Sequence, residues 1–451
     1  MPSGAMAMSA PESRPTIGIW LTSSVVVGTM IGAGIFLLPV SLAPLGINAI
    51  FGWVLSALGA MAIAFALSRL VREDGSGIQS YIEAVFGPTT AFIATWAFWV
   101  SAWTAVAATS IATAAALAHI FPAFEDPWTI AIAAILTTAL VQAVNARGVR
   151  AAGGFALITV LIKILPLLAV IAVVALRQGT GQPLSPLAPA PITVDNIATA
   201  VTLTLFAMLG FEGATAPVGK VRNPTRTIPI AIVAGTSFVA LLYLLSSTSV
   251  GLILSPEARA SSTSPFADAL VANFGETAAT FAALTIAVAA LGGANNNLLI
   301  SGELGYSMAL RGDLPRPFTK TDDYGAPVVS QLLASALTII LILLNSSKST
   351  AALFTFVILL STTSTLVLYL IGALAAWKRD ASPAAKAIIA LSIPYSLFAF
   401  YGAGLEANLW GLVLLALGLA VRWLCHRLRH SRGGSSPAAA ENPAEPPGST
   451  A

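Results

Sequence analysis

The stretch GTMIGAGIFLLP, residues 28–39, interrupts an apolar run that is long enough to cross a membrane. Gly28, Gly32 and Gly34 stand in the middle of this run, and each glycine destabilises a helix interior by about 1 kcal/mol relative to alanine. We therefore predict a helix that is unwound near Gly32. An unwound segment in lipid needs partners for its free N–H and C=O groups, and a bound substrate can supply them.

A second interruption, LGFEG at residues 209–213, lies in the sixth apolar run and places Glu212 between glycines. The two interruptions open successive blocks of five runs. Because five is odd, the second block enters the membrane from the opposite side. Interrupted helices at matching positions of two inverted halves are typical of a transporter binding site. The alternative is that these glycines only allow close helix packing.

The composition predicts a helical membrane bundle. Hydrophobic residues make up 57% of the 451 residues and charged residues 9%, whereas soluble domains carry about 25% charged residues. We expect an all-α membrane protein with twelve transmembrane helices arranged as a five-plus-five inverted repeat followed by two C-terminal helices. The expected divisions are residues 1–15 (disordered N-terminus), 16–177 (first repeat), 194–377 (second repeat), 384–428 (two further helices) and 431–451 (disordered tail).

The few basic residues predict the orientation of the bundle. Arg177, Arg259 and Lys348 fall in loops on one side and Lys163 lies inside a run, while all other Lys and Arg residues fall on the side of the N-terminus. Cytoplasmic loops are enriched in Lys and Arg. We therefore expect both termini to be cytoplasmic in a multi-pass protein of the cell inner membrane.

Candidate substrate ligands cluster at the two interruptions. At the first, freed N–H groups and the positive end of the following half-helix suit a carboxylate. At the second, freed carbonyls suit an ammonium. Together they would bind the carboxylate and the ammonium that all α-amino acids share. The backbone candidates are Ile31, Gly32, Ala33, Gly34, Leu209, Gly210 and Phe211.

Side chains from neighbouring runs complete the candidate site. Phe206 precedes the second interruption and is predicted to cap the site, although a phenylalanine in a span more often packs in the core or faces lipid. Trp103 shares a helix face with two other tryptophans, so packing is the alternative for it. Asn297 and Thr363 offer an amide and a hydroxyl within apolar runs.

Lys163 and Glu212 are the ionisable residues placed deepest in the apolar runs. Such residues are expensive to bury and mark functional sites by default. We predict that Glu212 is a proton site or a gate. The Lys163 ammonium is predicted to fill the space of a sodium ion between the first, fifth and eighth runs, so that transport is sodium-independent. The alternatives are a carboxyl held in helix packing and a lysine that snorkels to the interface.

Several classes of function are disfavoured by the sequence. It contains no GxxxxGK phosphate loop, which argues against an ATP-driven pump. One cysteine and three histidines, none of them in mid-membrane beside acidic residues, argue against a metal site or metalloenzyme. The net charge of +3 does not indicate a nucleic-acid partner. We expect no cofactor and no metal; the expected partners are an amino acid or amine substrate and the lipid bilayer.

Three motifs in order, GAGIFLLP, FAMLGFEGATAPVGKVRNPTRTIPIAI and GYSMALRGDLPRPF, resemble the amino acid–polyamine–organocation superfamily, and most closely its basic amino acid/polyamine antiporter branch. The resemblance covers roughly residues 16–428 and implies a leucine-transporter-type fold with alternating access. It implies that Ala33 and Gly34 meet the carboxylate, that Leu209 lies near the ammonium, and that Glu212 is the gating acid. It also permits a homodimer.

Lys163 is similar to a lysine of sodium-independent, proton-coupled members of this superfamily. The expected function is secondary active transport of amino acids or related amines, as an exchanger or a proton-coupled symporter. One alternative is a dedicated arginine/agmatine antiporter. An alternative of another class is a channel or transceptor on the same fold.

Overall fold

A computed structural model describes residues 18–32, 34–70, 78–124, 126–146, 155–211, 221–322, 325–380 and 382–431. Within these ranges the regular structure is helical and no β-strand occurs. The α-helices are α1 (Ile19–Met30), α2 (Gly34–Leu42), α3 (Asn48–Ser68), α4 (Ile78–Phe86), α5 (Pro88–Ile120), α6 (Pro127–Asn145), α7 (Phe155–Thr180), α8 (Val194–Met208), α9 (Pro224–Ile253), α10 (Pro256–Ser261), α11 (Pro265–Leu310), α12 (Val328–Leu344), α13 (Thr350–Arg379), α14 (Pro383–Gly402) and α15 (Gly404–Ser431).

The chain is a multi-span helical membrane protein. Among the described residues, nine helices are long and apolar enough to cross a membrane, and α1 with α2, bent by 47°, adds a tenth if the pair forms one span. Two further apolar helices, α8 and α12, have only 15 and 17 residues. Each of the twelve predicted runs therefore coincides with a helix or with the bent pair. The ten clear spans are fewer than the twelve crossings predicted, because α8 and α12 fall short of about 20 residues.

Helix α5 forms the centre of the bundle. In its most apolar stretch 94% of the residues are buried, against 11% in α15. Its surface is rich in Ala, Ser and Thr, and small residues let neighbouring helices approach closely in a membrane. Helices α11, α13 and α6 pack around it. Helix α2, which follows the first interruption, also packs against α5.

Ion pairs join helix ends on the side of the N-terminus. Arg69 Nε lies 2.6 Å from Asp380 Oδ2, which links the end of α3 to the end of α13. The hydrogen bond from Arg69, with a further one from the backbone N–H of Ser382, holds the pKa of Asp380 below its usual range. Arg311 at the end of α11 pairs with Glu83 of α4. These contacts fix the ends of the helices that surround the site.

Candidate substrate-binding site

The first interruption separates α1 from α2. Helix α1 ends at Met30, Ile31 leaves the helical region with φ −74° and ψ 80°, and α2 begins at Gly34. The N–H of Gly32 donates to the carbonyl of Met30 at 2.7 Å, which closes a tight turn instead of continuing the helix. The first N–H groups of α2 therefore point into the gap between α1 and α2. The N-terminus of a helix favours anions at this position. The unwinding predicted near Gly32 is present.

The second interruption follows α8 and lies directly against the first. Leu209 is extended (φ −63°, ψ 150°) and Gly210 has a φ of 112°. A Cβ on Gly210 would lie 2.8 Å from the carbonyl oxygen of Thr29. The Thr29 hydroxyl donates to the Gly210 carbonyl at 2.8 Å. The two interruptions thus form one junction, and only glycine allows the chains to approach this closely.

Tyr243 of α9 is hydrogen-bonded to the C-terminal end of α1. Its hydroxyl donates to the carbonyl of Met30 at 2.8 Å, and the side chain is fully buried. A helix end leaves its last carbonyls without partners, and this bond satisfies one of them. Tyr243 was not among the residues predicted from the sequence. A polar aromatic residue in the middle of an apolar run was the available signal.

A cavity of about 490 Å³ adjoins both interruptions. It runs between α1, α5, α7, α8 and α11. Most residues in its walls are apolar or have small side chains. Its lining includes Leu21, Ser24, Gly28, Thr29, Gly32, Gly34, Phe98, Ser101, Ala102, Ala105, Thr109, Ile162, Lys163, Phe206, Leu209, Gly210, Val288, Gly292, Asn295, Asn296, Asn297 and Thr365.

Lys163 reaches across this cavity from α7 to α1. Its ammonium nitrogen lies 3.5 Å from the carbonyl oxygen of Gly28, one turn before the first interruption. Among the described lining residues it alone carries a formal charge. The lysine therefore binds the cavity wall and does not extend to the membrane surface.

Most of the predicted site residues meet at this cavity. Gly32, Gly34, Leu209 and Gly210 line it. So do Phe206, Asn297 and Lys163. The Phe206 ring packs edge-on to Phe354, with centroids 6.5 Å apart, and lines the cavity beside Gly34.

Other predicted residues lie elsewhere or outside the described part of the chain. Ile31 and Phe211 are fully buried and do not border the cavity; Phe211 stacks on Tyr369 with centroids 5.3 Å apart. Ala33 and Glu212 lie outside the described residues.

The structure does not bring Trp103 and Thr363 to the cavity. Trp103 packs edge-on against Trp99, as its alternative interpretation stated. Thr363 lines a separate cavity of about 260 Å³ beside α15. Both residues sit on helices that contribute other residues to the lining. Each residue turns about 100° around a helix axis, so a neighbour of a lining residue can face a different side.

One face of α5 belongs to the site and was missed by the sequence analysis. Phe98, Ser101, Ala102, Ala105 and Thr109 line the cavity at helical spacing. Small residues three, four and seven positions after Phe98 were the signal. The sequence could not identify this face as a cavity wall, because the same spacing also serves helix packing.

Comparison with known proteins gives the family. A family model described as amino acid permease matches residues 17–420. The chain belongs to the amino acid permease family. The permease is therefore a membrane transporter and not an enzyme, as the sequence predicted.

Individual relatives of the permease carry transporter names. It is 27% identical over 423 residues to the putrescine transporter PotE of Haemophilus influenzae, covering 91% of this chain and 97% of that protein. It is 28% identical over 352 residues to the cadaverine/lysine antiporter of Escherichia coli K12, covering 76% and 78%. PotE of that strain is 27% identical over 427 residues, covering 91% and 96%. The predicted resemblance to basic amino acid/polyamine antiporters is confirmed.

Proposed function

We propose that this permease is a sodium-independent secondary transporter of amino acids or related amines that works by alternating access. In this proposal the chain crosses the inner membrane twelve times. Residues 16–177 and 194–377 form inverted repeats, and residues 384–428 add two helices. The cavity that joins the two interruptions is the observation that carries the proposal.

The junction offers complementary groups for the two ends of an α-amino acid backbone. The N-terminus of α2 presents N–H groups and a positive dipole end to a carboxylate. The C-terminal end of α8 presents carbonyls to an ammonium. Because a Cβ on Gly34, the first residue of α2, would lie 3.4 Å from the Ala207 Cα near the end of α8, these two helix ends are close enough to bind one small molecule.

In this proposal the cavity opens toward the side of the N-terminus. Its lining includes Leu21 near the start of α1 and Ile162 in α7, both exposed, which supports a mouth on that side. At the other end Phe206 packs against Phe354 and Gly34. With the termini in the cytoplasm, this is an inward-facing arrangement whose outer gate is closed. A gated cavity of this kind favours a transporter over a channel.

The contact of Lys163 with Gly28 supports sodium independence. An ammonium placed against a backbone carbonyl near the interruption provides the positive charge that a bound cation would otherwise supply. Glu212 remains our candidate for the proton site or gate. Exchange and proton symport both fit this arrangement.

Reconstitution in liposomes tests the proposal. Purified protein is placed in vesicles preloaded with unlabelled amino acids and amines, and uptake of each labelled compound is measured with and without a pH gradient, in sodium or in choline buffer. We expect uptake that does not change when sodium is replaced. Absence of uptake for every compound, or a requirement for sodium, would contradict the proposal.

Two matched variants assign the roles of the charged residues. Lys163→Ala is expected to reduce uptake by about tenfold, the effect of losing one charge-assisted contact. Lys348→Ala, which removes a lysine from a partly exposed pair with Glu406, is the control and should retain uptake. If uptake remains coupled to the pH gradient in Lys163→Ala but loses this coupling in Glu212→Gln, the role given to Lys163 is contradicted and that of Glu212 is supported.

A further inference from the structure

We propose that this site selects amino acids with uncharged, largely apolar side chains over cationic amino acids and diamines. This inference rests on the proposed function and names its substrate class. This substrate class differs from the one that the names of the relatives suggest, since those names contain putrescine, cadaverine and lysine.

The wall opposite the junction is made of small and apolar groups. Ala102 and Ala105 of α5 line the cavity, and so do Ala289, Gly292 and Gly293 of α11. These positions leave room beyond the backbone-binding junction, where the side chain of a bound amino acid would lie. Apolar walls stabilise an apolar side chain in proportion to the area that is removed from water.

The hydroxyls in this wall already have partners. Ser101 is hydrogen-bonded to Ser361 at 3.0 Å and to Thr365. Thr109 donates to the carbonyls of Ala105 and Val106 at 2.8 Å and 3.1 Å. Their hydrogens are therefore engaged in helix packing, and their oxygens are neutral acceptors that cannot balance the charge of a distal ammonium or guanidinium.

The amides of α11 are partly engaged as well. The Asn295 side-chain oxygen accepts from Asn145 of α6 at 2.8 Å, and the Asn297 amide nitrogen donates to the carbonyl of Gly293 at 3.0 Å. The remaining amide groups can meet a neutral polar atom. They cannot neutralise a cation, because an amide carries no net charge.

The charge balance of the lining disfavours a second cation. Among the described residues, the wall formed by α5 and α11 contains no carboxylate, and Lys163 adds an ammonium to the lining. A cation that leaves water for a low-dielectric cavity needs a paired anion, and a nearby like charge raises the cost further. A neutral side chain avoids both costs, whereas a diamine would place its distal ammonium in this wall.

A competition panel tests the inference. Wild-type protein in liposomes is given one labelled amino acid that it transports, and uptake is measured with excess unlabelled leucine, methionine, phenylalanine, lysine, arginine, putrescine or cadaverine. We expect the three neutral amino acids to compete at concentrations at least about tenfold lower than the cationic compounds. Equal or stronger competition by lysine, arginine or a diamine would overturn the inference. Absence of transport for every compound would instead contradict the proposed function.

A pair of variants tests whether the charge of the cavity wall sets the selectivity. Ala105→Asp adds a carboxylate to the wall, and Ala105→Asn adds a side chain of nearly equal size without the charge. We expect lysine or cadaverine to compete at least about tenfold better in Ala105→Asp than in Ala105→Asn. Both proteins must elute as the wild type does in size-exclusion chromatography. If competition by lysine or cadaverine improves as much in Ala105→Asn as in Ala105→Asp, the charge of the cavity wall does not set the selectivity and the inference is wrong.

Discussion

The two interruptions differ in how they are held open. Between α1 and α2, the turn is closed by its own backbone, and the Met30 carbonyl is bound by Tyr243 from α9. After α8, the turn depends on Gly210, whose φ is 112° and whose missing Cβ makes room for Thr29. The first interruption is therefore supported from outside the site, whereas the second is supported by the first.

The glycines at the two interruptions consequently have different roles. Among the described residues, a Cβ on Gly32 would have only the Met30 carbonyl oxygen nearby, at 3.9 Å, whereas a Cβ on Gly210 would overlap the backbone of Thr29. Gly34 is intermediate, since its Cβ would lie 3.0 Å from the Phe206 ring. Glycines that look alike in the sequence should differ widely in their tolerance of alanine.

The largest expected effect is that of Gly210→Ala. A non-glycine residue at this φ is strained by about 1–3 kcal/mol, and the overlap with Thr29 adds to this strain. We expect exchange in liposomes to fall about 100-fold or more. Gly32→Ala is the matched control and should stay within about threefold of wild type. Equal losses in the two variants would remove the distinction between the interruptions.

Tyr243→Phe should have the next largest effect. The change removes one of the two donors to the Met30 carbonyl, since the Gly32 N–H still donates to it, and a lost hydrogen bond costs about 0.5–1.5 kcal/mol. We expect transport to fall about tenfold. Tyr401→Phe is the control, because Tyr401 is exposed and donates to Asp195 away from the site. A Tyr243→Phe protein with wild-type transport would show that the first interruption needs no outside support.

Gly34→Ala should have a smaller effect that a second change can reverse. The added methyl group requires the Phe206 ring to move by a few tenths of an ångström, and overpacking of this kind typically costs about 1–3 kcal/mol before relaxation. We expect a loss of about threefold to tenfold in uptake. Adding Phe206→Leu to Gly34→Ala should recover part of it, and a double variant worse than both single variants would contradict this packing account.

The smallest expected effect comes from a contact remote from both interruptions. Asp380→Asn removes the charge that pairs with Arg69 between the ends of α3 and α13. We expect a Tm lower by about 2 °C and unchanged transport. Because the pKa of Asp380 is lowered in the folded protein, its stabilisation is present above about pH 4 and is lost as the pH falls through that lowered pKa. The Tm difference from wild type should therefore be constant from pH 8 to pH 5 and shrink below about pH 4.

The sequence predicted the positions of the interruptions because glycine clusters and an ionisable residue in apolar runs are local signals. Lys163 was predicted to lie in the site, and its ammonium does reach α1. The pattern could not reveal that Gly210 lies against Thr29, because that contact joins distant parts of the chain. The sequence could not show that Trp103 and Thr363 do not border this cavity, for a related reason: a helix face is visible in a sequence, but the neighbour that the face meets is not.

Substrate protection of a cysteine in the cavity tests most directly whether substrate binds at the junction. In a Cys425→Ser background, which removes the protein's one cysteine, Ala105→Cys places a thiol in the junction cavity and Ala97→Cys places one in the separate cavity lined by Thr363. Alkylation by a maleimide is timed with and without a transported amino acid at about ten times its Kd. We predict that substrate slows labelling at position 105 about tenfold and leaves position 97 unchanged. Equal labelling rates at position 105 with and without substrate would contradict a binding site formed by the two interrupted helices.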